Sequence, residues 1–275
     1  MRMPSFSLPL LLVLSACSRP RGPDTHVGTD LAGMLASTDA AVSSGDSSVA
    51  VVAYVYAHTD TMLYSVDPET LTIASIAAFG WPAGADTMTD IALDRDGNMI
   101  GISYTNIYGI DKTTAKCTLL SAFQGGSFNG LSFIANSSGG KEALLGATTN
   151  GDVYRIDPTT GLQTLVGNYG NGWVSSGDLV SVEGATYATV TGTEPSDVLV
   201  KVDITTGVAT MIGVTGASAI WGLGYWKQKL FGFTSTDGMV TIDVTTGKAT
   251  PIPSQTGSIS WYGAGVTTAA PITVN

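Results

Sequence analysis

Histidine is nearly absent from this chain, and its scarcity removes whole classes of chemistry. Only His26 and His58 occur in 275 residues. His58 is expected in a loop beside Asp60, so neither a His-based triad nor a multi-histidine metal site is available. Basic residues are also few, with 12 Lys and Arg against 22 Asp and Glu and a net charge of −10. Nucleic-acid binding needs clustered cations to displace counterions, and is excluded. Electrostatic docking to anionic lipid goes with it. The apolar run from Phe6 to Leu14 falls well short of the roughly 20 residues that span a bilayer.

What the N-terminal end does contain is a positive start, Met1-Arg2-Met3, then that apolar run, then Leu14-Ser15-Ala16-Cys17. This order describes a signal peptide over residues 1–16. Leu14-Ser15-Ala16-Cys17 resembles the lipobox of bacterial lipoproteins. The resemblance implies that Cys17 is acylated, becomes the new N-terminus and anchors the protein to a membrane. Ser18 follows where an Asp tends to retain enterobacterial lipoproteins at the inner membrane, so the outer membrane is expected. With Cys17 lipidated, Cys117 has no partner for an intrachain disulfide, although an exported compartment permits one. Cys117 reads as a packed small residue. Residues 17–48 are polar, then rich in Ala, Ser, Thr and Gly, and read as a flexible tether.

From residue 49 to 275 the sequence repeats. Leu63-Tyr-Ser-Val-Asp67, Ile107-Tyr-Gly-Ile-Asp111, Val153-Tyr-Arg-Ile-Asp157, Leu199-Val-Lys-Val-Asp203 and Met239-Val-Thr-Ile-Asp243 share one pattern. Each alternates apolar residues and ends in Asp, as a half-buried strand entering a turn does. Thr lies three positions after every Asp. Gly161, Gly207 and Gly247 follow in three copies, with Leu71 and Ala115 in the others. An Asp bonds the backbone ahead of it and Gly accepts a left-handed conformation, so these Asp residues build turns. Upstream lies a strand centred on a small residue: Ala53, Gly101, Gly146, Ala188 and Gly232. Before that comes another, starting at Asp90, Gly130, Gly177, Gly222 and Gly263, and a fourth follows the turn, as in Gln163–Val166 and Ala209–Ile212.

Four strands per unit of about 44 residues define the blade of an all-β propeller. The first unit lacks its opening strand, and Trp261–Thr268 is expected to supply it beside Val49–Tyr56. Residues 49 to 268 are 220 positions, or five blades. Val153-Tyr-Arg-Ile-Asp-Pro-Thr-Thr-Gly161 resembles the Asp-x-x-Thr-Gly repeats of bacterial quinoprotein-like and related propellers. The Trp that closes the quinoprotein motif is missing, with Leu165, Met211 and Pro251 in that neighbourhood, so no cofactor is expected.

Propellers usually bind ligands at the channel mouth formed by the loops entering each blade. Those loops hold Trp81, Phe128 with Asn129, Trp173, Trp221, and Trp261 with Tyr262. Rigid rings give contact area at low entropy cost, so these residues are the candidate ligand-binding set for an envelope protein or glycan. The same rings could instead wedge between blades. Asp94-Arg-Asp96-Gly97-Asn98 is an ordinary hairpin turn lacking a full calcium ligand set, and no metal site is expected. An alternative is a carbohydrate-active enzyme using Asp90, which replaces Gly at the head of its strand, and Asp178, one position beyond Gly177. The leading expectation is a non-catalytic binding module.

Overall fold

The computed structural model describes residues 55–134, 141–182, 184–236, 238–253 and 259–271. The expected signal peptide, Cys17 and the tether lie outside the described residues. The first blade contains β1 (Val55–His58), β2 (Met62–Val66) and β3 (Ile73–Ala78). The second runs β4 (Asp90–Leu93), β5 (Met99–Ile102), β6 (Asn106–Ile110) and β7 (Cys117–Ala122). The third runs β8 (Phe128–Ile134), β9 (Ala143–Thr148), β10 (Asp152–Ile156) and β11 (Gln163–Asn168). The fourth is β12 (Val174–Val182), β13 (Ala185–Thr191), β14 (Val198–Val202) and β15 (Ala209–Val214). The fifth is β16 (Ile220–Trp226), β17 (Lys229–Thr234), β18 (Met239–Asp243) and β19 (Ala249–Ile252), and β20 (Gly263–Gly265) ends the series.

These strands form five antiparallel four-stranded sheets, a five-bladed β-propeller. The first sheet has the order β20-β1-β2-β3, so the last strand of the chain completes the first blade, as the repeat count requires. The register is Tyr56↔Gly265, Ala57↔Ala264 and His58↔Gly263. The closure removes an open sheet edge. One expectation needs correction. The small residue that faces the tyrosine of the next strand is Ala57, opposite Tyr64, as Gly101 is opposite Tyr108. Ala53 lies outside the described residues.

The repeated Asp residues build their turns in all five blades. In the third, Asp157 Oδ1 accepts the amides of Thr159 at 2.8 Å and Thr160 at 3.2 Å. The Gly161 amide donates to the Asp157 carbonyl at 2.8 Å. That fifth residue takes positive φ throughout: 59° at Leu71, 54° at Ala115, and 72°, 74° and 75° at the three glycines. Leu71 and Ala115 therefore keep the same turn despite the side chain.

Glycine has a second use here. A Cβ on Gly207 would run into the backbone of Gly167, and one on Gly247 into that of Gly213. Each Asp-Thr-Gly turn thus lies against the outer strand of the preceding blade, so one motif shapes a hairpin and spaces two blades. The outer strands carry exposed apolar residues, with Leu165 at 58% and Met211 at 44%. Inward, the blades are joined by buried aliphatic and aromatic side chains such as Leu63, Ile107, Leu145, Leu199 and Phe233. Cys117 is buried, as expected, and burial pushes its thiol up to about 12.

Candidate functional site

The innermost strands β4, β8, β12, β16 and β20 pack neighbour to neighbour around the channel. In each, one apolar residue pairs with the small residue of the next strand: Ile91, Leu131, Leu179, Leu223 and Ala264. The residue just before it sets one level of the channel: Asp90, Gly130, Asp178, Gly222 and Gly263. Sequence spacing had put Gly177 at that level with Asp178 beyond it. A register shift in β12 between Ser175 and Leu179 brings Asp178 into the level instead.

The three glycines bring the strands close. A Cβ on Gly130 would sit 2.8 Å from the Gly177 carbonyl oxygen, and one on Gly222 would sit 2.7 Å from the carbonyl carbon of Gly263. A Cβ on Gly263 would overlap His58 Nε2 and Asp90 Oδ1. The space glycine leaves is thus occupied by an imidazole and a carboxyl. Gly263→Ala is expected to lower unfolding stability by about 1–3 kcal/mol through overpacking, checked by urea denaturation. His58→Ala should relieve part of that loss.

Asp90, Asp178 and His58 have no exposed surface. His58 is not in a loop: it is the last residue of β1 and points into the core, with Nε2 3.8 Å from Asp90 Oδ1. Its Nδ1 lies 2.8 Å from the Thr59 carbonyl oxygen. A carbonyl only accepts, so Nδ1 carries the proton and Nε2 offers a lone pair. Burial, against a smaller opposing contribution from that carbonyl, lowers the imidazole to about 4. His58 is therefore neutral at neutral pH.

Asp178 Oδ1 accepts the Leu179 amide at 2.6 Å, and Oδ2 accepts the Leu223 amide of the next blade at 2.7 Å. Burial raises the Asp178 carboxyl well above the usual range, partly offset by the bonds it accepts from Asp90 and these amides. Asp90 is raised by burial first and then by the Asp178 charge. Two neighbouring buried carboxyls cannot both ionise, so the pair keeps at least one proton between them. Sequence reasoning found both carboxylates but missed the histidine between blades. The signal was available: His58 follows the small residue of its strand, where the other blades carry Ile102, Ala147, Thr189 and Phe233, none of them ionisable.

Above this layer opens a cavity of about 290 Å³ at the channel mouth. All five blades contribute, among them Thr89, Asn129, Ser176, Trp221 and Tyr262. Thr89, Gly177 and Tyr262, which also line it, are the chain neighbours of Asp90, Asp178 and Gly263, so the buried cluster underlies the cavity floor. No lining residue carries a formal charge. Trp221 and Tyr262 meet edge to face at 5.5 Å. Asn129 Nδ2 donates to the Ser175 carbonyl at 3.5 Å, while its buried Oδ1 has no partner.

The seven candidate loop residues separate into groups. Phe128, Asn129, Trp221 and Tyr262 line the mouth cavity, although Phe128 is only 2% exposed. Trp261 is 1% exposed and wedges between blades. Trp81 is half-buried against Phe79 and Tyr108, and Trp173 is half-buried over Gly192. Asp94 accepts the amides of Asp96 and Asn98, which makes its segment a closed turn. Among the described residues no group of three or more His, Cys, Asp or Glu is arranged to hold a metal ion.

No family model and no curated protein matches the chain. Solved structures do. The computationally designed protein Ika8 matches at 14% identity and TM-score 0.36, covering 71% of this chain and 56% of that one. A protein of unknown function from Bacteroides caccae matches at 6% and 0.47, covering 76% and 77%. BamB from Moraxella catarrhalis matches at 19% and 0.36, covering 72% and 60%. The chain thus spans less than two thirds of the designed protein and of BamB. These likenesses carry no functional argument.

Proposed function

We propose that this protein is a non-catalytic binding module of the cell envelope, held to the outer membrane through lipid on Cys17, that takes an envelope protein or glycan at its channel mouth. The observation that carries the reading is the mouth cavity: five blades converge on a charge-free surface of hydroxyls, an amide and four aromatic rings, Tyr104, Phe128, Trp221 and Tyr262. Rings and hydroxyls give area and adaptable hydrogen bonds without the desolvation that charge entails. The chemistry-bearing groups lie beneath that surface. A glycosidase needs carboxylates flanking the scissile bond with space between them. Asp90 and Asp178 have no accessible surface and already accept backbone amides, which weighs against the enzyme reading.

A photo-crosslinking residue placed at Tyr262 is expected to capture one reproducible envelope component in growing cells, and the same residue at the exposed Leu165 is not. Equal capture at both positions would remove the mouth as the recognition site. For the anchor, Cys17→Ala is expected to abolish labelling with a radioactive or clickable fatty acid and to release the protein from the membrane fraction. A Cys17→Ala variant that remains membrane-bound would refute lipid anchoring.

A further inference from the structure

A second cavity of about 360 Å³ adjoins the mouth and shares Ser176 and Trp221 with it. It is walled by the loops of the fourth and fifth blades, including Glu194, Asp197 and Ser218. Trp221 is half-buried and stands where the two cavities meet. Each cavity is near the lower end of the roughly 300–1,000 Å³ typical of small-ligand sites. Together they make a bent cleft with a ring at its middle.

Its polar groups have a direction. Ser176 Oγ donates to Asp197 Oδ2 at 2.7 Å, and Asp197 is fixed in turn by the Ile220 amide at 2.8 Å. With its proton committed, the Ser176 hydroxyl presents lone pairs to the cleft. The remaining hydroxyls, with the Trp221 indole N–H, both donate and accept, so the lining suits a ligand with many hydroxyl groups. Glu194 and Asp197 disfavour an anionic ligand in the second cavity, and the whole of the mouth lining is uncharged. A ring platform between two hydroxyl-lined cavities fits a chain of sugar rings, whose hydroxyls donate and accept and whose axial C–H faces stack on indole.

We infer that the mouth and the adjoining cleft form one binding site for a neutral oligosaccharide of at least two residues, which passes over the Trp221 ring. The inference rests on the mouth being the recognition site. Asp197 is a positioning residue that sets the Ser176 hydroxyl.

Calorimetry on the soluble Cys17→Ala protein tests it. The probes are cellotriose, maltotriose and chitotriose, with glucose, N-acetylglucosamine and anionic trigalacturonate as comparisons. At least one neutral trisaccharide is expected to bind ten-fold or more tightly than its own monosaccharide and than trigalacturonate. Trp221→Ala should lose at least ten-fold. Ser218→Trp, which fills the adjoining cleft from an exposed loop position, should bring the trisaccharide down to monosaccharide affinity and leave the monosaccharide unchanged. Unchanged melting temperatures establish that both variants fold; if Trp221→Ala unfolds, Ser218→Trp alone decides. Absence of neutral-sugar binding, equal affinity for one ring and three, or an unaffected Ser218→Trp would overturn the inference. If no sugar binds but crosslinking at Tyr262 still captures a protein, the glycan inference falls and the binding-module reading stands. If both fail, both fall.

Discussion

Replacing Trp261 with alanine is expected to lower the unfolding free energy by about 3–5 kcal/mol, the range for emptying a buried large aromatic site. The indole is 1% exposed and meets Tyr64 edge-on at 5.2 Å and Phe233 at 5.4 Å, so it joins the first blade to the fifth. It lies two residues before β20, which contributes only three residues to the closing pairing. A short strand makes few ladder hydrogen bonds, and the ring packed beside it supplies much of what keeps it in register. The measurement is a urea midpoint, with the m-value as a second readout. A smaller m in the variant would show that the closure strand frays before the rest unfolds. Trp226→Ala is the control. That ring is half-buried at the surface, with its Nε1 donating to Glu69 at 2.7 Å, and a distinctly smaller loss is expected there. Equal losses at the two positions would refute a special role for closure.

The propeller was legible because its repeat is enforced by backbone geometry. Asp and Thr at fixed spacing can satisfy the same turn amides in every blade, so selection for the turn writes itself into the sequence five times. The closing strand was legible for a related reason: four strands per unit leave one strand missing at the start and one spare at the end. The channel layer was harder to read. Asp178 was one position out because spacing assumes uniform pairing, and the β12 register shift between Ser175 and Leu179 adds residues that periodicity cannot see. His58 escaped because its partner Asp90 lies 32 positions away on another blade, joined to it only when β20 closes the ring. The loop aromatics were ambiguous for a physical reason. Trp221 is the second residue of β16 and Trp261 lies two residues before β20, both near the head of an innermost strand, yet one lines a cavity and the other fills the core. That difference depends on what the neighbouring blade offers, Tyr262 in one case and Phe233 with Tyr64 in the other.

The second large effect is expected at Asp178. Changing it to alanine leaves the amides of Leu179 and Leu223 buried without an acceptor and deprives Asp90 of its partner. Orphaned buried donors cost about 1–3 kcal/mol each, and the change orphans two of them, the Leu179 and Leu223 amides. A loss near 4 kcal/mol at neutral pH is therefore expected, read by chemical denaturation. Asp90→Asn should be mild by comparison, because the side-chain amide keeps the size of the carboxyl and an oxygen to accept the Ile91 amide. The pH dependence separates the cluster's members. Folding raises the Asp90–Asp178 pair above the ordinary 3.8, so the folded chain keeps a proton that the unfolded chain releases. That contribution to stability is full at low pH and is lost as pH rises through the folded value. Folding lowers His58 from 6.5 to about 4, so the unfolded chain takes up a proton first as pH falls. That contribution is full above 6.5 and is lost as pH drops toward 4. Where the windows overlap the two slopes oppose each other, each approaching 1.4 kcal/mol per pH unit for one proton. Relative to the wild type, Asp90→Asn should gain stability with rising pH between 4 and 6.5, and His58→Gln should lose it. Parallel pH profiles for the three proteins would show that these buried groups do not exchange protons on folding, and would refute the shared-proton arrangement.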